Sequence, residues 1–174
     1  MQEHPERLHR LEQALQTQVT LWRLHPVGEA LQALRGVPVT VAVTLVAAIG
    51  DLTRFDTPRE LMQFLSLIPS EYTRAERRRP GSMTNAGNTH ARSALVAGAW
   101  ASRSPAKVSH HLQLRLEKPS KIIQNSSGKA QVRLCKRYRQ LIARGKHANV
   151  VTVAMARELA GCMLAMAQEV PVIP

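Results

Sequence analysis

Aromatic side chains are scarce: Phe, Trp and Tyr together make up 3% of the 174 residues. An interior without them must be filled by alanine, leucine and valine, which suits closely packed helices better than a β-sandwich. Acids are scarce too, at 12 against 24 Lys and Arg, for a formal net charge of +12. The two cysteines, Cys135 and Cys162, lie far apart, with no CxxC pair and no histidine at ligand spacing. That pattern argues against a zinc site and reads as two small core residues of a reducing compartment. There is no P-loop, no HExxH, no Ser-His-Asp spacing and no internal repeat. The opening MQEHPERLHRLEQ is polar, with three glutamates, and is no signal peptide. The longest apolar stretch, His147 to Val170, has Arg157 and Glu158 at its centre, so a buried helix is the reading rather than a membrane span. A cytoplasmic protein is expected.

What is present reads as helices. Leu8, Leu11, Leu15, Val19 and Leu24 recur at amphipathic spacing until Pro26 interrupts, and a short segment follows over 27–34. Gly36-Val37-Pro38 breaks the chain. Val39 to Asp51 is β-branched, but its interleaved alanines and the terminal Gly50 favour a helix with a glycine cap. Thr57-Pro58 predicts a cap and first turn for a helix through Leu67, and Asn88 a cap for a helix from Thr89 to about Ser102. Pro105 is expected to start the next helix, ending near Lys118. Asn125-Ser126-Ser127-Gly128 predicts a turn, Lys129 to Arg144 a basic amphipathic helix stopped by Gly145, and Ala148 to Gln168 the last helix. The fold class expected is all-α. Between two of these helices, Pro69 to Asn88 (PSEYTRAERRRPGSMTNAGN) reads as an arginine-rich loop.

Charge is segregated along the chain. Between Arg74 and Lys146 lie 17 of the 24 basic residues but only two acids, Glu76 and Glu117, a net of +15; the remainder carries seven basic and ten acidic groups. Charge spread for solubility would not sort itself this way, so a polyanionic partner is expected, held through phosphate contacts. The candidates are Arg74, Arg77, Arg78 and Arg79 in the loop, with Arg133, Lys136 and Arg137 on the basic helix. On that helix Val132, Leu134, Cys135, Tyr138, Leu141 and Ile142 are available for the core. With Tyr72 and Tyr138 isolated, backbone contact is favoured over base stacking. A second candidate is the Gly-x-Pro turn before Val39, whose helix N-terminus offers free N–H groups to a phosphate; a turn feeding a core helix reads equally well.

Catalytic constellations are weaker. Two-metal chemistry needs converging carboxylates, and the two aspartates, Asp51 and Asp56, lie where helix caps are common. Glu29, Glu60, Glu158 and Glu169 read as helix-surface residues. Hydroxyls (Ser70, Tyr72, Thr73, Ser82 and Thr84) do lie beside the loop arginines, as serine chemistry on a phosphodiester would require, but loops are rich in such residues anyway.

LQALRGVPVTVAVTLVAAIGDLTRFDTPRELMQFLSLIPSEY, RRRPGSMTNAGNTHAR, KAQVRLCKRYRQLIARGK and AMARELAG, in this order and spacing, resemble the C-terminal half of DEDD-type insertion-sequence transposases. These are Piv- and MooV-like enzymes, some guided by a structured RNA, and the resemblance covers about Leu24 to Glu169. It implies a helical C-terminal domain over 27–170, opening with a helix-hairpin-helix-like segment near 34–50. Residues 1–26 would then be a helix remaining from the link to an N-terminal RuvC-like domain. In the family that domain carries four acidic Mg2+ ligands and the C-terminal domain a nucleophilic serine.

The acidic tetrad is absent here, so no metal or other cofactor is expected in this chain. The usual S-E-Y-S-S-G is replaced by Ser70-Glu71-Tyr72-Thr73-Arg74-Ala75, leaving the hindered Thr73 as the nearest hydroxyl; the usual lysine of I-T-K-A-G-N is Asn85. The sequence before KAQ is also changed, to Asn125-Ser126-Ser127-Gly128, whereas Gly81, Thr84, Gly87, Asn88 and Arg92 match, and Arg92 joins the nucleic-acid candidates. The resemblance implies a truncated transposase domain, inactive alone. The alternatives are a module that binds DNA ends or a guide RNA and modulates a full-length transposase, or a helical protein that only forms oligomers.

Overall fold

Ala148 to Gln168 is apolar nearly all round, and a helix with no polar face must be enclosed by others. The computed structural model describes the backbone of residues 3–74, 77–83 and 87–170, and the side chains of residues 6–69 and 87–170. The elements in chain order are α1 (Glu3–Val19), α2 (His25–Leu31), α3 (Val39–Ile49), α4 (Pro58–Phe64), β1 (Pro69–Arg74), β2 (Arg77–Met83), α5 (Thr89–Ala99), α6 (His110–Leu116), α7 (Lys121–Ala143) and α8 (Ala148–Gln168). The body is all-α, as its composition predicts. Helix α8 is central, lying against α2, α4, α5 and α7. Its Val151, Met155, Ala156, Leu159, Ala160, Met163 and Leu164 are buried. It is long and apolar enough to cross a membrane, but most of that surface lies inside this core.

Local signals fix most of the boundaries. The Thr57 hydroxyl accepts from the Glu60 amide at 3.4 Å, while the Glu60 carboxylate reaches back to the Asp56 amide at 3.1 Å, closing the first turn of α4 from both sides. The Asn88 side chain accepts from the Ala91 amide at 3.1 Å to open α5. Gly50, at φ 74°, donates to the Val46 carbonyl at 2.8 Å and ends α3, the helix expected over that β-branched run.

Three expectations are corrected. Helix α6 starts at His110, not at Pro105, because Ser109 provides the cap, accepting from the Leu112 amide at 3.3 Å. The segment before it is pinned in a non-helical course, with Arg35 donating to the Pro105 carbonyl and Gln131 to that of Lys107. Asn125 to Gly128 is not a turn, since α7 runs through it from Lys121. The buried stripe Ile123, Ser127, Ala130, Gln131, Leu134, Tyr138 keeps helical period across those residues, and the buried Ser127 hydroxyl donates to the Gln124 carbonyl at 2.8 Å. Finally, the arginine-rich stretch expected as a loop contains the hairpin β1–β2, antiparallel with Tyr72 opposite Arg79, Thr73 opposite Arg78 and Arg74 opposite Arg77.

With few aromatics, the helices come close. Gly36 lies at φ 83° in the turn between α2 and α3, and a Cβ there would run into the Gly98 carbonyl of α5. A Cβ on Gly98 would lie 2.7 Å from the Gly36 carbonyl oxygen. The two backbones touch directly. Gly36→Ala is expected to cost about 3 kcal/mol, combining a disfavoured left-handed backbone with overpacking; urea unfolding of the variant against the parent measures it.

Candidate nucleic-acid interface

An isolated two-stranded hairpin is marginal in water, so β1–β2 depends on its footing. The entering leg is fixed by α8: Arg157 Nε donates to the carbonyl of Leu67, two residues before β1. Burial pushes the Arg157 guanidinium down from its ordinary value, which still leaves it cationic at neutral pH. Next to Leu67, the buried Ser66 holds a positive φ of 51°. The returning leg meets it at Gly87, where a Cβ would lie 2.5 Å from both the Phe64 carbonyl oxygen and the Ser66 hydroxyl. Only a glycine lets the two legs close here. The register gathers Thr73, Arg74, Arg77, Arg78 and Arg79 onto paired strands; their side chains lie outside the described residues.

Arg92 departs from the expected surface contact. It is 9% exposed, one turn inside α5 from the Asn88 cap, and its Nη1 has no hydrogen-bond partner among the described residues. Its place is beneath the surface, where the same helix supplies Ala91 and Leu95 to the core.

Helix α7 carries the rest. Lys136 is exposed as expected. Arg133 and Arg137 are 62% and 56% exposed in their side chains, yet both share one carboxylate: Glu158 Oε2 lies 3.6 Å from Arg133 Nε, and Glu158 Oε1 2.5 Å from Arg137 Nε. Glu158, 20% exposed, is therefore a counter-ion set into the α7–α8 seam and not a helix-surface residue. Arg133 Nη2 also donates to Cys162 Sγ at 3.3 Å. Burial pushes the Cys162 thiol up, with the Glu158 charge adding to this and Arg133 pulling against it. Cys162 is half-buried, whereas Cys135 is enclosed in the core. Of the apolar residues of this helix, Leu134, Cys135 and Tyr138 are buried, but Val132 and Ile142 are exposed.

The charge count overstates what is free. Arg115 Nη1 donates to the Val37 carbonyl at 3.0 Å, bracing the turn before α3, and Arg139 Nε donates to the Cys135 carbonyl at 3.3 Å. Lys118 pairs with Glu29 at 3.5 Å. Arg54, which sequence reading passed over, sits over the rings of Phe55 and Phe64, 4.7 and 4.8 Å from their centroids. Arg157 and Glu158 are the other residues missed in their roles. The available signal was a charged pair inside an apolar run, which has to find partners.

The described acids do other work. Asp51 accepts from the Thr53 amide at 2.9 Å and hydroxyl at 2.7 Å, and these two bonds hold its carboxyl below the usual 3.8. Among the described residues no group of three or more His, Cys, Asp or Glu side chains could hold a metal ion.

Residues 28–113 match the family described as Transposase IS116/IS110/IS902 family. The chain is 42% identical over 171 residues to the protein named "Putative transposase y4qE" of Sinorhizobium fredii, covering 96% of this chain and 44% of that protein. It is 26% identical over 164 residues to the "Probable family 20 transposase" of Pseudomonas aeruginosa, covering 92% of this chain and 40% of that protein. The chain thus spans less than half the length of these relatives. Both relatives are named transposases, and the family match is to the IS116/IS110/IS902 type.

Two outcomes follow from the geometry. Arg157→Met leaves the Leu67 carbonyl without its charged donor, which is expected to cost about 2 kcal/mol and to speed amide exchange in β1 and β2, read by hydrogen–deuterium exchange. A carboxylate whose folded pKa is lowered adds stability above its unfolded value and loses it as pH falls through the lowered one. Thr53→Ala removes one of the two donors, so the Asp51 titration, followed by NMR, is expected to move back up toward 3.8.

Proposed function

We propose that this chain is the C-terminal nucleic-acid-binding part of an insertion-sequence transposase of the IS116/IS110/IS902 family, in the DEDD-type, Piv- and MooV-like branch. In this reading residues 27–170 form the binding domain, α2 and α3 with the turn at Gly36 are its helix-hairpin-helix-like entry, and residues 1–26 lead in from a RuvC-like domain. The observation that carries it is the segregated charge: a net of +15 between Arg74 and Lys146, in a chain whose relatives are named transposases.

The chemistry divides accordingly. Cations of the β1–β2 hairpin and of α7 neutralise phosphates and gain the entropy of released counterions. Cutting a strand requires a nucleophile and charge stabilisation in the transition state. Here Thr73 is the hydroxyl nearest the position of the family serine, and of the described acids Asp51 and Glu60 serve helix starts while Glu158 is a counter-ion. The chain alone therefore binds without recombining DNA, and Mg2+ would enter only with the acidic tetrad of a RuvC-like domain. DNA, a structured guide RNA and a full-length transposase or second copy are its partners, in the cytoplasm. A second reading, a module that holds DNA ends or guide RNA and interferes with an intact transposase, follows from the same surface combined with the missing acids; co-expression with an intact relative lowers recombination if it holds and leaves it unchanged if it does not.

The test is a salt titration of binding to duplex DNA and to a structured RNA. The expected log–log slope on duplex DNA is about −0.9 per phosphate contacted, and replacing Arg77, Arg78 and Arg79 together by Gln is expected to make it shallower by about 2.7. Folded protein that does not bind at low salt would overturn the reading.

A further inference from the structure

Between α7 and α8 runs a surface groove of about 310 Å³. One lip is α7, with Ser126, Lys129 and Arg133; the other wall is α8, where Gly161 and Cys162 keep the floor low. Arg137 continues the lip one turn further. Lys129, Arg133 and Arg137 repeat every four residues, so their stems stand about 6 Å apart along one helix face, the order of the distance between neighbouring phosphates on one strand. Glu158 takes the Nε edge of both arginines and Cys162 takes Nη2 of Arg133. These contacts fix where the two guanidiniums lie while leaving the Nη groups of Arg137 without a partner among the described residues. The three cations against one carboxylate leave the lip at a net charge of +2, and Ser126 adds a hydroxyl donor at the groove's end.

We infer that this groove is a binding track for the phosphodiester backbone of one nucleic-acid strand, with Lys129, Arg133 and Arg137 each taking a phosphate and Glu158 acting as the positioning residue for the two arginines. The inference rests on the nucleic-acid reading above and locates a contact that reading leaves unplaced. A competing account, in which Arg133 and Arg137 only tie α7 to α8, leaves unexplained why both remain more than half exposed and why an exposed lysine extends their line. Surface ion pairs of this kind add at most about 1 kcal/mol each, so tying the helices together is a small part of what they do.

Cys162 on the groove wall is a built-in reporter, and the enclosed Cys135 is its internal control. Alkylation of the full chain by iodoacetamide, followed peptide by peptide by mass spectrometry, is run alone and with saturating poly(dT), poly(U) or random-sequence duplex. Protection of Cys162 by at least fivefold is expected with the occupying polymer; poly(dT) or duplex protection assigns the track to DNA, poly(U) protection to RNA. Lys129→Gln, at an exposed position with no hydrogen bond or ion pair among the described residues, is expected to flatten the salt slope by about 0.9 on duplex or about 0.7 on a single strand. If the protein binds these polymers with a steep salt dependence while Cys162 reacts at its free rate and Lys129→Gln leaves the slope unchanged, the track is wrong and the broader reading stands. If nothing binds, the broader reading fails with it.

Discussion

Two charges stand in the middle of the longest apolar helix described, and the partners they require shape both sides of it. A guanidinium or carboxylate withdrawn from water without a partner costs more than a helix contact returns. Arg157 meets that cost by donating to the Leu67 carbonyl, which fixes the hairpin's entering leg. Glu158 meets it with Arg133 and Arg137, which fixes the cationic edge of α7. Helix α8 thus joins the two basic regions of the molecule through adjacent residues, while its remaining faces enclose the core.

The same economy governs the packing. With few bulky aromatics, the interior reaches density by backbone approach, at Gly36 against Gly98 and at Gly87 against Phe64 and Ser66. The first lies in the turn leading into α3, the second at the foot of the hairpin. These elements stand on close backbone contacts, which have discrete arrangements, rather than on long side chains that can adapt.

Much of this was legible in the sequence, for reasons that can be traced. Thr57, Asn88 and Gly50 declare helix ends because their hydrogen bonds are made within four residues. The long apolar run declares α8. The Asn125–Gly128 cluster misleads because turn propensity is a local preference, and the apolar stripe running through it is rewarded by burial against the rest of the core. The hairpin is hidden because PSEYTRAERRRPGSM alternates no apolar residues and its support comes from Arg157, far along the chain. At the site, segregation of charge is visible from composition. Which cations are occupied is not, because Glu158, Cys162, Val37 and Cys135 become their partners only after folding. Arg92 shows the limit most clearly, a motif-matching arginine that proves to be buried.

The central position of α8 also bears on synthesis. It follows every other helix in chain order, and α2, α4, α5 and α7 all bury their apolar faces against it. Until it leaves the ribosome those faces lack the one surface they share. The earlier helices can meet one another in part, as α3 does with α2 and α5, but the core they form stays open on the side that α8 fills.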